Sequence, residues 1–260
     1  MRRSVLLALF VLSLTASAFA DVTMKQTTSG KGMGFSTNAP TTTYIKGSRM
    51  RTEMVNGDTT RITIIDLDAQ KMYSFDTKKK EADVWDMATL SEEIGKNVDT
   101  SKMTGSFTAN GMSKEIAGRK ADGYDMTISM PATMGGNMQM TVGLAGPVWI
   151  VKGGPGNADV VAFYKAAADK GWIFADPRAA KAQPGQAKAM SEMYKQIAAA
   201  GGIAYEQTFD IKLSGDGPVA GLMARMGGVS MTNTITSVTE GALADDLFAP
   251  PAGYKLNQRK

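Results

Sequence analysis

Methionine is the residue type with the most chemistry to offer in this chain. Nineteen methionines stand against nine phenylalanines and seven tyrosines, while histidine and cysteine are absent altogether. A thioether is unbranched, polarizable and a soft ligand, so a surface lined with it can repack around apolar guests of varied shape or hold Cu(I). Met130, Met134, Met138 and Met140 are close enough in sequence for the copper reading. Neither His nor Cys supports such a site, and Met138 and Met140 also fit plain strand alternation, in which methionine fills an irregular core. Without histidine the commonest general base is missing, and without cysteine as well the usual zinc and iron ligands are gone. A Ser-His-Asp enzyme and a His-ligated metalloenzyme are excluded. No serine is followed by lysine at the third position. Because no nucleophile, base and orienter can be assembled, the chain reads as a non-enzyme that needs no cofactor.

Three other patterns suggest chemistry. Asp66-Leu67-Asp68 could open an EF-hand loop, but that loop needs glycine at its sixth position and glutamate at its twelfth, where the chain has Lys71 and Thr77. It reads as a hairpin turn. Gly215-Asp216-Gly217-Pro218-Val219-Ala220 mimics a dinucleotide loop without the alternating βαβ context that gives such a loop its meaning. Lys78-Lys79-Lys80 reads as a solvated hairpin tip that could also touch anionic lipid headgroups.

The elements that must position the methionines are mostly strands. Thr41 to Met87 reads as an antiparallel meander, TTTYIKG, SRMRTEMV, TRITIIDL, QKMYSF and EADVWDM, with turn-forming residues between the strands. Met50 and Met54 alternate with Arg51 and Glu53, so one face is buried and the other wet; ITIIDL is continuously apolar and is expected to be covered on both sides. A first strand is expected from Asp21 to Ser29, then a glycine-rich turn region, GKGMGFSTNAP. After the meander, Thr89-Leu90-Ser91-Glu92 forms a capping-box pattern, so a short helix follows. Met103 to Met130 offers two or three strands with turns at Asn110-Gly111 and Asp122-Gly123. Met126, Ile128 and Met130 share one face there, and Met138, Met140, Val142 and Leu144 share another on the next strand.

The period then lengthens to three and four. Asn157 is the expected N-cap of a helix whose stripe is Val160, Phe163, Tyr164 and Ala167, ended by Lys170-Gly171. Asp176-Pro177 starts a short helix that Pro184 interrupts, and a third helix runs from Gln186 to Ala200 with Met190, Met193, Tyr194 and Ile197 on its apolar side. Strands return in IAYEQTFDIKLSG and VSMTNTITSVTEG, and a small amphipathic helix between them carries Val219, Leu222, Met223 and Met226. The end, Leu247 to Lys255, is too proline-rich for regular structure and is expected to pack Leu247, Phe248 and Tyr254 across the sheet.

The 260 residues, 43% of them hydrophobic, suffice for a sizeable core. Arg2 and Arg3, the apolar run from Val5 to Leu14 and then Ala18-Phe19-Ala20 make residues 1–20 a signal peptide cleaved after Ala20, which places the mature chain in the periplasm. No later run approaches the roughly 18 apolar residues of a membrane span, so a soluble protein is expected. Without Arg2 and Arg3, 27 basic residues face 25 acidic ones and the formal charge falls from +4 to +2, so the basic pI implies no nucleic-acid partner. With no cysteine, stability comes from burial alone, which favours a large sheet core. The fold expected is mainly β (α+β): residues 21–260 as one domain, an incomplete antiparallel β-barrel whose helical insertion at about 157–200 covers the concave side.

These residues also resemble a known family. YIKGSRMRTEM, TIIDLDAQKMYSFD, a strand ending in VWDM, and LFAPPAGYK, in that order on an exported chain, resemble the periplasmic outer-membrane lipoprotein carrier superfamily (LolA/LolB-like), closest to an uncharacterised branch of it. The resemblance covers Val22 to Met87 and the tail, and the middle more loosely. It implies an open barrel with helices as a lid over an apolar cavity that receives acyl chains. The carriers place an arginine directly after the lysine at the start of the third strand, and it helps gate the cavity; here Lys46 is followed by Gly47, so that role is not carried over.

The expected function is therefore binding of an apolar ligand, lipid or lipoprotein acyl chains, with lipoproteins or another envelope protein as further partners. The inner-face residues expected to line the cavity are Met50, Met54, Met126, Ile128, Met130, Met138, Met140, Val142 and Leu144, with Met223 and Met226 from the small helix. Two alternatives stand beside it: an envelope interaction module with a filled core, and a methionine-based Cu(I) protein. A cavity of a few hundred Å³ distinguishes a binder from a module.

Overall fold

The computed structural model describes residues 21–32, 35–96, 98, 100–134, 138–172, 177–182, 184–215 and 228–259. The meander forms as its alternation requires: β1 (Val22–Gly32), β2 (Phe35–Lys46), β3 (Arg49–Asn56), β4 (Thr59–Asp66), β5 (Lys71–Asp76) and β6 (Glu81–Asp86) are consecutive antiparallel neighbours. Helix α1 (Met87–Lys96) follows, then β7 (Thr104–Ile116), β8 (Arg119–Met134) and β9 (Met138–Val151). The helices α2 (Asn157–Asp169), α3 (Pro177–Ala182) and α4 (Pro184–Ala199) lead to β10 (Ile203–Gly215), β11 (Val229–Glu240) and β12 (Lys255–Arg259). All twelve strands of the described residues join one open, curved sheet in the order β12-β6-β5-β4-β3-β2-β1-β11-β10-β9-β8-β7. It is an incomplete barrel with helices on its concave face. Pairing of β1 with β11 joins the two ends of the chain at the middle of the sheet.

Both faces of the meander are used. Ile65, Leu67 and Met72 pack inward with Leu90 and Ile94 of α1, Phe163 of α2 and Ala187 of α4. Ile62, Ile64 and Phe75 point outward and are buried under Phe248, with Leu247 and Tyr254 packed alongside. ITIIDL is thus covered on both sides, and the tail does the outer covering. Its anchor is electrostatic as well as apolar. Arg51 donates to the Leu247 carbonyl at 2.9 Å and to Glu53 at 2.7 Å, and Arg49 lies 5.1 Å above the Phe248 ring.

Local signals that the structure corrects are instructive. The cap of α1 is Asp86, whose carboxylate accepts the Thr89 N–H at 2.9 Å; Glu92 pairs instead with Lys96 one turn on, at 2.7 Å. Neither glycine pair reverses the chain between β7 and β8. The turn is Ala117-Gly118, at φ 50° and 71°, a two-residue hairpin with both central residues left-handed. Asn110-Gly111 is a bulge within β7, where the register breaks between Ala109 and Ser113. Gly123 lies inside β8 because a Cβ there would stand 2.9 Å from the Trp149 ring. The first turn region is shorter than expected, since β1 runs on to Gly32 and β2 starts at Phe35. Gly156, with φ 65°, is the N-cap of α2, and Asn157 is its first helical residue. Of the stretch from Leu247 to Lys255, expected to lack regular structure, Leu247 and Phe248 close a short 3-10 turn that starts at Asp245, and β12, parallel to β6, begins at Lys255. The segments expected to form the signal peptide and the small helix with Met223 and Met226 lie outside the described residues.

Candidate functional site

The site is the space between the concave face and the helices. On α2 the residues Val160, Phe163 and Ala167 are buried, and on α4 Met193 and Ile197 are, as a three-four period dictates. The two helices pack together, α2 against β2 and β10, α4 against β8, β9 and β10. Where they meet, Tyr164 stacks on Tyr194 with ring centroids 5.1 Å apart and planes within 7°. Burial pushes both phenols above the usual tyrosine value, and a hydrogen bond from Gln207 partly offsets this at Tyr194. Glycine lets both ends of the helical segment press on the sheet: a Cβ on Gly156 would strike Val22, and one on Gly202 would come within 2.5 Å of the Val151 carbonyl.

Beneath this pair of helices a cavity of about 70 Å³ remains. Its apolar walls are Met24, Val160, Ile197, Ile203 and Ile235, with the two stacked tyrosines as roof. It lies where two apolar clusters meet, since Met24, Val160, Ile203 and Ile235 belong to one and Ile197 to the other. Its floor is polar. Gln207, Asn233, Gln26 and Thr43 all line it, and the register places Gln207 opposite Asn233 and Gln26 opposite Thr41. Gln207 Oε1 and Thr41 Oγ1 are buried without a hydrogen-bond partner, whereas Thr43 shares one of 3.4 Å with Thr52.

Around the rim, charged side chains tie the helices down. Lys170, next to α2, donates to the Leu67 carbonyl at 3.1 Å and lies 4.9 Å from the Trp172 ring. Arg178 of α3 pairs with Asp83, which Arg259 also holds at 2.7 Å, and Lys181 reaches Glu93 of α1 at 2.6 Å. At the opposite end Glu240 accepts the Gly156 N–H at 2.5 Å. Asp159 sits nearby with its Oδ1 buried and unpaired; burial, then the charges of Glu240 and Asp21, hold its pKa above the ordinary aspartate value.

The residues expected to line a cavity are distributed as follows. Met126, Ile128, Met130 and Leu144 are buried together and pack with Met193 and Ile197 of α4. Met50 is buried in the neighbouring cluster, with Ile45, Ile65 and Met72. Met140 and Val142 are buried further along the same strands. Met54 is 38% exposed at the outer end of β3. Met138 begins β9, opposite Met134 of β8, and both side chains lie outside the described ones, as do Met223 and Met226. Of the expected residues whose side chains are described, none lines this cavity, while Ile128 and Leu144 border a more open space of about 470 Å³ with Thr127, Gly143, Asp210 and Lys212. The residues missed are the amides. Gln207 and Asn233 each interrupt an apolar alternation at mid-strand, between Tyr205 and Phe209 and between Met231 and Ile235, and Gln26 ends one after Met24; these interruptions were the available signal.

Among the described residues no three His, Cys, Asp or Glu side chains could hold a metal ion together, and no helix is long and apolar enough to cross a membrane. Asp66 accepts the backbone N–H groups of Asp68 and Ala69 at 3.0 and 2.8 Å, so the acidic pair is a hairpin turn.

No protein-family profile and no curated protein matches the chain. Solved structures overlay loosely. PNGF-II in a C2 crystal form gives a TM-score of 0.37 at 10% identity over 92% of this chain, which spans 31% of PNGF-II. A domain named for outer-membrane lipoprotein sorting, from Vibrio parahaemolyticus, gives 0.31 at 8% identity, covering 88% of this chain and 89% of that one. A DUF1329 family protein from Desulfovibrio piger ATCC 29098 gives 0.30 at 8% identity over 90% and 91%. Similarity this low carries no functional argument, and the fold rests on the strand order itself.

Proposed function

We propose that this chain is a non-catalytic carrier of the cell envelope, exported to the periplasm as a single domain, that takes up an apolar ligand between sheet and helices. Lipid or lipoprotein acyl chains are the ligand class. The observation that carries this reading is the concave face itself. It is apolar across most of its width and methionine-rich, yet it is covered by helices fixed at the rim and at two glycine-bearing ends, with unfilled space left beneath α2 and α4. A cavity of about 70 Å³ is far smaller than the roughly 300–1,000 Å³ of a ligand pocket, so on this reading the helices must move to enlarge it. Uptake moves α2 and α4 outward, and the chain takes the place of Met193 and Ile197 on the sheet. Each methylene buried contributes about 0.8 kcal/mol. Unbranched methionines at Met126 and Met130 adapt to chains of different length.

The small cavity also favours a second reading, an interaction module whose core is filled and whose surface does the binding. One experiment separates them. The mature protein is purified without detergent and extracted with organic solvent, and bound lipid is identified by mass spectrometry. A near-stoichiometric lipid supports the carrier; no lipid, with no uptake of a fluorescent fatty acid afterwards, leaves the module.

A further inference from the structure

The cavity floor says more about the ligand than its walls do. Gln207 is 6% exposed, on the inward face of β10 between Tyr205 and Phe209. Its amide is used on one side, by the Tyr194 phenol, while Oε1 is buried without a partner in a residue that lines the cavity. A buried, unsatisfied amide oxygen costs about 1–3 kcal/mol, and such groups are ordinarily paired. Asn233 and Gln26 on the two adjoining strands extend the same polar seam below the apolar walls. Among the described residues the lining contains no charged side chain. An ionised carboxylate would lose its hydration there, meet no cation and face a carbonyl oxygen.

We infer that the cavity takes the polar group of a neutral amphiphile bearing an O–H or N–H, such as a long-chain alcohol, a monoacylglycerol or an amide-linked acyl chain, and that Gln207 Oε1 accepts its hydrogen. This rests on the carrier reading above and specifies its ligand. The hydrocarbon runs from Ile197 along the cluster of Met126, Met130 and Leu144, which α4 covers. The ordinary occupant of such a spot is a trapped water, which would satisfy Oε1 equally well but select no ligand.

The test compares dodecan-1-ol, its methyl ether and dodecanoate at pH 8, by calorimetry on the mature wild-type protein and on Gln207→Leu. The ether keeps the acceptor oxygen and loses only the donor. In the wild type the alcohol should bind about tenfold tighter than the ether, the scale of one buried hydrogen bond, with dodecanoate weakest. In Gln207→Leu the alcohol–ether ratio should fall below about twofold, while the ether binds as well as before or better. Equal binding of alcohol and ether by the wild type would mean that water occupies the seam, and tighter binding of the ether would mean that the amide offers its N–H instead. Either result overturns the inference and leaves the carrier standing. So does an alcohol preference that survives in Gln207→Leu. Failure of all three probes to bind overturns the inference together with the carrier reading.

Discussion

Asp159 is placed at a cost. In the first turn of α2 a carboxylate gains from the helix dipole, yet this one has a buried, unpaired Oδ1 and two acidic neighbours, Glu240 and Asp21. Its pKa is raised on folding, so the folded state binds the proton more tightly than the unfolded one. The penalty is therefore absent below the ordinary aspartate pKa of about 3.9, grows as pH rises through the folded value, and is complete at neutral pH. Asp159→Asn should raise the melting temperature by a few degrees at pH 7, and the gain should vanish toward about pH 3. A pH-independent difference in calorimetric scans would locate the effect in the cap rather than in the charge. The sequence announces Asp159 only as a first-turn acid; the proximity of Glu240 and Asp21 depends on where β11 ends and β1 begins. The amides differ. Gln26, Gln207 and Asn233 break their strand patterns visibly, but their meeting in one cavity follows from the order β1-β11-β10, which no single strand encodes.

Elements were legible where periodicity is long and unmixed. The five meander strands, the α2 stripe and the α4 stripe are all where alternation or the three-four period puts them. Glycine pairs misled because glycine serves three purposes here: a turn at Gly118, a bulge at Gly111 and close packing at Gly123. The tail illustrates the opposite case, in which sequence shows the apolar residues and the structure supplies their socket. Phe248 fills a pocket formed by Ile62, Ile64 and Phe75 on the face away from the helices. Phe248→Ala should cost about 3–5 kcal/mol in urea unfolding, the range for a buried aromatic, and Arg51→Ala about 1.5–3 kcal/mol through its bond to the Leu247 carbonyl. Since both act on the outer face, ligand affinity measured well below the unfolding transition should stay within about twofold of wild type, a shift below about half a kcal/mol. A loss of binding would mean that the tail supports the inner face too.

At the scale of the whole molecule, carrier and module differ in what must come apart. Every described strand is paired into one sheet, whereas the helices meet it through side chains, the rim ion pairs and the two glycine-bearing ends. A carrier needs an opening that frees α2 and α4 while β8, β9 and β10 stay paired. Native-state hydrogen exchange measures this directly. Amides of α2, α3 and α4 should exchange through an opening several kcal/mol easier than that of the central strands, and a bound lipid should slow them selectively. Removing two rim contacts with Arg178→Ala and Lys181→Ala together should lower that opening by about 1 kcal/mol, roughly fivefold faster exchange in the helices, because ion pairs with a partner open to solvent are worth little each. The strands should not change, as Arg259 still pairs with Asp83. If the helix amides exchange only when the sheet does, helices and sheet form one cooperative unit, the cavity has no route to enlarge, and the filled-core module becomes the better account.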